Sequence, residues 1–267
     1  MAKLNFKNKW ILVTGASSGL GKEMARYLAV KENANVIIAA RRKGNLDELK
    51  KEIESACNSQ VIVLEADVST SQGVDQLFQD AVKAADIDAV VNNAGITFYG
   101  ISVESQLDYF QKIINVNLNA VMRLSLKFLS YFQQRGSGAL LNITSETAFI
   151  PIPFQNVYAA SKHAAQAFTE ALYMEYRKSG IVISSVAPGG IATEMLTLSG
   201  LDKKHGMDSP FNMKADVAAR KAIKAFKRKK FVYVPGFMNK LTVFLVRFFP
   251  RKWVARMTAL IYDPPKE

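Results

Sequence analysis

A chain of 267 residues is close to the size at which one hydrophobic core stops growing, so one large α/β domain is expected before two small ones. Apolar residues make up 49% and charged residues 22%, which excludes a disordered chain, and the single cysteine, Cys57, excludes an internal disulfide framework. The formal charge of +12 is local: twelve Lys and Arg and no acid lie between Val217 and Tyr262, leaving 23 residues of each sign elsewhere.

Only four consecutive apolar residues, Trp10–Val13, follow Lys3, Lys7 and Lys9, too few for the core of a signal peptide. No run approaches the roughly 20 apolar residues of a spanning helix. A cytoplasmic protein is expected, with a peripheral membrane contact open. Along the chain, Trp10–Thr14, Asn35–Ala40, Gln60–Ala66, Ala89–Asn92, Ala139–Ser145, Ile181–Ala187 and Phe231–Val234 read as strands. They are nearly continuous in Val, Ile and other apolar residues, as strands buried on both faces are. Helical patterns fall between them, at Leu20–Lys31, Leu46–Cys57, Gly73–Ala84, Leu107–Arg135 and Val157–Lys178. Strict alternation predicts right-handed βαβ units and a Rossmann-like, doubly wound parallel sheet of about seven strands. No linker or repeat divides the chain. The expected organisation is a catalytic domain over 1–236, with a lid near 193–215, and an amphipathic extension over 237–267.

The first strand runs through Thr14, Gly15, Ala16, Ser17, Ser18, Gly19, Leu20 and Gly21 into a helix. Glycines there permit a tight turn, and the helix N-terminus presents backbone N–H groups to a pyrophosphate. The second strand ends in Ala39-Ala40-Arg41-Arg42-Lys43, where a carboxylate would have bonded a ribose 2′-hydroxyl. The Arg41 and Arg42 forks suit a 2′-phosphate, so NADP(H) is read over NAD(H), and Lys43 is read as a solvated loop charge. Asp67, before Val68, is placed to accept from an adenine amino group or to cap the next helix, a role Ser69 or Thr70 could also fill.

Tyr158 and Lys162 are four apart on one helical face, Ser145 ends a strand, and Asn117 lies in the helix before it. A free tyrosine titrates near roughly 10, and a neighbouring ammonium favours phenolate. Such a site suits hydride transfer coupled to general acid–base catalysis, with a serine hydroxyl holding the substrate oxygen. Asn115 and Asn119 are close to Asn117, but a two-residue step turns a side chain through about 200°, so the three cannot share a face.

Taken together, the glycine turn, Asn92-Asn93-Ala94-Gly95, Ser145, Tyr158-Ala159-Ala160-Ser161-Lys162 and Pro188-Gly189-Gly190-Ile191-Ala192-Thr193 resemble the short-chain dehydrogenase/reductase family over about residues 8–195. The resemblance implies Tyr158 as catalytic acid/base, Ser145 as the group positioning the carbonyl or alcohol, and Lys162 as ligand of the nicotinamide ribose. Asn117, between Val116 and Leu118, would hold a water of a proton relay. Asn93, Ala94 and Gly95 would line the adenosine side; Pro188, Gly189, Ile191 and Thr193 would line the nicotinamide side. With Arg41-Arg42 and a long tail, the chain looks most like the NADP(H)-dependent branch containing hydroxysteroid dehydrogenases and bacterial ketone or acyl-chain reductases. A homodimer or homotetramer is expected.

Phe98, Tyr99 and the run Phe149-Ile150-Pro151-Ile152-Pro153-Phe154 follow strand ends, where a substrate pocket would form. Met195, Leu196, Leu198, Met207, Phe211 and Met213 would belong to the lid. These apolar side chains either bind a lipophilic substrate or pack on one another. His163 reads as a surface or packing residue, and His205 has no acidic partner at metal-ligand spacing; no metal is expected. In the tail, Leu241–Phe249 is apolar except Thr242 and Arg247, and Trp253, Met257 and Leu260 recur at helical spacing. Two readings stay open: packing over the substrate entrance or a subunit interface, or lying through 217–262 on an anionic membrane. Nucleic-acid binding is not expected, since no such motif accompanies the charge. The functional alternative to an oxidoreductase is a cofactor-binding sensor or scaffold acting through this basic segment.

Overall fold

The computed structural model describes residues 2–201, 209 and 212–263. Met207, Phe211 and His205 lie outside them. Seven strands form one sheet in the order β3-β2-β1-β4-β5-β6-β9, every neighbouring pair parallel. They are β1 (Trp10–Thr14), β2 (Asn35–Ala40), β3 (Val61–Glu65), β4 (Ile87–Asn92), β5 (Gly138–Ile143), β6 (Ile181–Val186) and β9 (Val232–Tyr233). A second, two-stranded sheet pairs β7 (Ile191–Ala192) with β8 (Met213–Lys214). The chain order reverses between β1 and β4, and a crevice opens there above the carboxyl ends of the strands.

Side-chain alternation along the strands builds a core on each face. Ile11 and Val13 join Met24 and Leu28 of α1 (Gly19–Glu32), Leu46 of α2 (Lys43–Ala56) and Phe226 of α8 (Ala215–Lys227). Leu12 points the other way, to Leu77 of α3 (Ser71–Ala84), Phe128 and Phe132 of α5 (Ala120–Arg135), and Leu172 of α6 (Asn156–Tyr176). The two phenylalanines are fully buried, each removing enough apolar surface to stabilise the fold by roughly 1.5–3 kcal/mol. Local signals place the helix ends: α3 starts where the Thr70 hydroxyl accepts from the Gly73 N–H at 3.0 Å, and α1 stops at Asn33, whose φ is +52°.

Three local expectations change. The long helix expected over Leu107–Arg135 is α4 (Leu107–Ile114) and α5 joined by a π turn at Asn115–Asn119, a wider register that periodicity does not distinguish. Strand β5 ends at Ile143 rather than Ser145, because the Ser145 side chain accepts from the Thr147 N–H at 3.2 Å and caps a short 3-10 turn, Glu146–Ala148. Lys43 opens α2 instead of lying in a loop.

After β9 the chain forms α9 (Phe237–Leu245), a 3-10 turn (Val246–Phe248) and α10 (Arg251–Tyr262). This extension folds back over the β5–α6 connection. Val246, Val254 and Tyr262 pack with Phe149, Ile150, Ile152 and Ala159, and the Thr258 hydroxyl donates to the Pro151 carbonyl at 2.7 Å. Ile150 and Ile152 are each 5% exposed, so they pack under the tail rather than line an open pocket.

Candidate active site

Thr14 ends β1 and organises the crevice. Its hydroxyl accepts from the Asn93 N–H at 3.0 Å and the Ala94 N–H at 3.1 Å, tying the end of β4 to the glycine turn. Gly15 sits at φ +67°, and a Cβ there would lie 2.8 Å from the Ala94 Cα, so only glycine allows the approach. The Asn93 side-chain amide donates to the Thr14 carbonyl at 3.0 Å and so holds the loop against the glycine turn.

Beneath this turn is a cavity of about 270 Å³. Gly15, Ser17 and Ser18 form one wall, Arg41 and Arg42 a second, and Asp67, Val68, Ala94 and Gly95 a third. Thr70 is the cap of α3, so Asp67 is not needed for that role; its carboxylate accepts from the Ser69 N–H at 3.0 Å. Burial pushes the Asp67 carboxyl up, but the Ser69 bonds and the charges of Arg41 and Lys112 hold it below its ordinary value. Glu194, from α7 (Glu194–Leu198), closes the rim, where Arg42 donates to its two oxygens at 2.7 and 2.8 Å and to the Ser18 hydroxyl at 2.7 Å. Gly19 packs against Thr193, while Leu20 and Gly21 continue into α1.

Behind the cavity wall at Gly95, where a Cβ would lie 3.5 Å from the Lys162 Nζ, α6 presents Tyr158 and Lys162 on one face, beside buried Ser145. The Lys162 Nζ lies 5.9 Å from the centre of the Tyr158 ring and donates to the Ile143 carbonyl at 3.1 Å. Burial brings the Lys162 ammonium down to about 8. Burial is also the largest influence on Tyr158 and pushes its phenol up; the Ser145 hydroxyl pulls it down and the Glu146 charge raises it. The phenol is thus raised where the neighbouring ammonium is expected to lower it, with burial the first cause and the Ser145 bond the opposing one.

Asn117 is fully buried in the π turn. Its Nδ2 donates to the Ile96 carbonyl at 2.9 Å and the Ser161 hydroxyl at 3.0 Å, and its Oδ1 accepts from the Ile96 N–H at 2.9 Å. Both amide hydrogens are used, so any relay water is held by acceptor oxygens. Asn115 and Asn119 instead bond each other at 3.0 Å. Pro188 accepts from the Glu146 N–H at 2.8 Å, which joins the β6–β7 turn to Ser145's neighbour. Over Gly189 a Cβ would lie 2.3 Å from Asn239 Nδ2 of α9 and 2.7 Å from Glu146 Oε2. Ile191 pairs with Met213 across the small sheet. His163 makes a 2.9 Å contact with the Ala159 carbonyl.

Four residues near the cleft are absent from the sequence reading: Glu146, Glu194, Asn239 and Tyr262. Burial pushes the Glu146 carboxyl up to about 7 and carries the Tyr262 phenol above its ordinary range, with Glu146 and Tyr158 adding to the latter. The Tyr262 carbonyl accepts from the Tyr99 hydroxyl at 2.9 Å, bringing α10 to the β4–α4 loop. Adjacency to Ser145 and to Thr193 was the available signal for Glu146 and Glu194; no signal pointed to the tail residues.

A parallel sheet with a glycine turn at its reversal point and a Ser-Tyr-Lys group beyond it defines a class of dinucleotide-dependent protein. The short chain dehydrogenase family matches residues 9–204, and the chain belongs to it. It is 32% identical over 205 residues to the very-long-chain 3-oxoacyl-CoA reductase of Anas platyrhynchos, covering 75% of this chain and 64% of that protein. To the 17-beta-hydroxysteroid dehydrogenase type 3 of Danio rerio it is 35% identical, over 70% of this chain and 62% of that one. The chain thus spans less than two thirds of the length of these relatives. A solved short-chain dehydrogenase from Sphingobium yanoikuyae, in complex with NADPH, superposes with a TM-score of 0.80 at 26% identity, covering 91% of this chain and 96% of that one.

Proposed function

We propose that the protein is an NADP(H)-dependent oxidoreductase that interconverts a ketone or aldehyde with an alcohol on a lipophilic substrate. The observation that carries this reading is a cavity walled by the glycine turn and two arginines, whose wall at Gly95 lies against the buried Lys162 Nζ, with Tyr158 and Ser145 beside that lysine. The cavity walls fit a phosphorylated dinucleotide: the turn leaves no room for a side chain at Gly15, and Ala39 and Ala40 stand where a carboxylate would repel a 2′-phosphate. The names of the two relatives, an oxoacyl reductase and a hydroxysteroid dehydrogenase, support carbonyl–alcohol chemistry on apolar molecules.

When bound, the nicotinamide would supply or accept the hydride. Tyr158 would donate its proton to the carbonyl oxygen while the Ser145 hydroxyl donates a hydrogen bond to the same oxygen. The Tyr158 phenol is protonated at neutral pH and burial raises it further, so the proton is there to give while the phenolate left behind has to be stabilised. The buried Lys162 ammonium is largely charged below about pH 8 and would bind the ribose and stabilise the phenolate left when Tyr158 gives up its proton. Replacing Tyr158 by Phe should abolish NADPH oxidation with lipophilic ketones while NADPH still binds. Retained turnover would reject the role, and lost NADPH binding would show a disrupted fold instead.

The tail supports a second element of the reading, an anionic bilayer as partner. Val254, Thr258 and Tyr262, spaced by four, face the domain. On the other side of α10, Trp253 is 63%, Met257 60% and Leu260 76% exposed, interleaved with Arg251, Lys252 and Arg256. Phe237, Phe244, Phe248 and Phe249 extend the apolar face. No helix among the described residues is long and apolar enough to cross a membrane. A cationic, aromatic-bearing face of this kind suits the headgroup region of anionic lipids.

A further inference from the structure

Arg42 has two claimants. The fork that would receive a 2′-phosphate is already closed by a carboxylate 152 residues away: Nη1 donates to Glu194 Oε1 at 2.7 Å and Nη2 to Oε2 at 2.8 Å. Ser18 accepts a further bond from Nη2, and Ser17 lies 3.3 Å from both Nε and Nη2. The glycine turn, the end of β2 and the start of α7 therefore meet at one guanidinium. Glu194 also has its carboxyl held below its ordinary value, first by the Arg42 hydrogen bond and then by Ser18.

A phosphate dianion and a carboxylate offer an arginine the same bidentate geometry, so the two are exclusive at one fork. They also repel each other when both are close to it. The Arg42–Glu194 pair is exposed, with side chains 44% and 41% accessible, so it is a weak interaction of less than about 1 kcal/mol and is readily exchanged. Glu194 is the first residue of α7, which contributes Met195, Leu198 and, just beyond, Ser199 to the same cavity.

We propose that Glu194 competes with the cofactor's 2′-phosphate for Arg42, so that a phosphorylated dinucleotide must displace this carboxylate and an unphosphorylated one need not. This rests on the reading of the crevice as an NADP(H) site and adds a residue that sets how strongly the phosphate is preferred. The competition lowers affinity for NADP(H) alone, because only that cofactor must displace the carboxylate.

The test is equilibrium binding of NADPH, NADH and 2′-phospho-ADP-ribose, followed by calorimetry, to wild type, Glu194→Gln, Arg42→Ala and the double variant. Glu194→Gln should tighten NADPH and 2′-phospho-ADP-ribose about two- to fivefold and leave NADH unchanged, the range set by the worth of an exposed ion pair. In the Arg42→Ala background the same change should give no gain, because the contested fork is gone. A gain that persists without Arg42 overturns the competition in favour of simple repulsion, and unchanged or weaker NADPH binding in Glu194→Gln overturns it outright. If wild type prefers NADH, the cofactor reading itself fails; if wild type prefers NADPH and Glu194→Gln is silent, only the competition fails.

Discussion

At the catalytic end of the cleft, burial is the largest influence on Tyr158, Lys162 and Glu146, whereas at the ribose-phosphate end Arg42 and Glu194 are set first by their hydrogen bond to each other. Desolvation disfavours the charged form of each buried group, so protonation at the catalytic end is set by burial and not by exchange of partners. An exposed ion pair is weak and exchanges readily, so the other end can discriminate between cofactors by swapping partners. Chemistry and recognition are thus separated along one crevice by solvent access.

Mutations at the two ends should differ in size accordingly. Tyr158→Phe removes the proton donor and should lower the turnover of carbonyl reduction by about 10²–10⁴, the usual worth of a positioned acid. Arg41→Ala with Arg42→Ala should weaken NADPH by roughly tenfold to several hundredfold, from charge-assisted bonds of about 1.5–3 kcal/mol, and leave NADH where it was. A double variant that loses NADPH and NADH equally would mean that the arginines shape the cavity rather than read the phosphate.

The tail makes a third contrast, between an inner face tied to the domain and an outer face left apolar. Replacing Arg251, Lys252 and Arg256 by Glu should cut sedimentation with vesicles containing phosphatidylserine by more than about tenfold, since each basic residue near an anionic surface is worth about 1 kcal/mol. Binding to neutral vesicles should change little. If the wild-type protein does not sediment with anionic vesicles at low salt, the bilayer is excluded; concentration-dependent self-association would then assign the face to a second copy of the chain.

The same contrast explains what could be read before folding. The alternation of buried strands with amphipathic helices made the sheet legible, because each strand shows its burial on both faces in four to seven residues. The glycine turn, Ser145, Tyr158 and Lys162 were legible because their chemistry is local: a turn, a strand end and one helical face. The Arg42–Glu194 pair joins residues 152 apart, and the Thr258–Pro151 and Tyr99–Tyr262 bonds join residues 107 and 163 apart, so no spacing rule reaches them. Periodicity also misses the π turn at Asn115–Asn119, where the helix continues with one changed register, and it cannot say that burial raises the Tyr158 phenol.

Glu146 allows the burial account to be measured without any substrate. Its carboxyl, partly buried beside Ser145 and over Gly189, is pushed up from 4.5 to about 7, so the folded state holds a proton that the unfolded chain has lost between those values. A raised carboxyl contributes stability fully below its unfolded pKa and loses it as pH climbs through the folded one. Wild type should therefore lose stability from about pH 4.5 to about pH 7 at this site, and Glu146→Gln, which cannot ionise, should not. The variant should match wild type near pH 4 and exceed it near pH 8 by about 1–3 kcal/mol, several degrees in Tm. Lys162 does not confuse the comparison: its depressed pKa adds stability only as pH rises from about 8 towards its unfolded value of 10.5, and equally in both proteins. A Tm difference that is the same at both pH values would mean that the side chain acts through its packing over Gly189 and not through its charge.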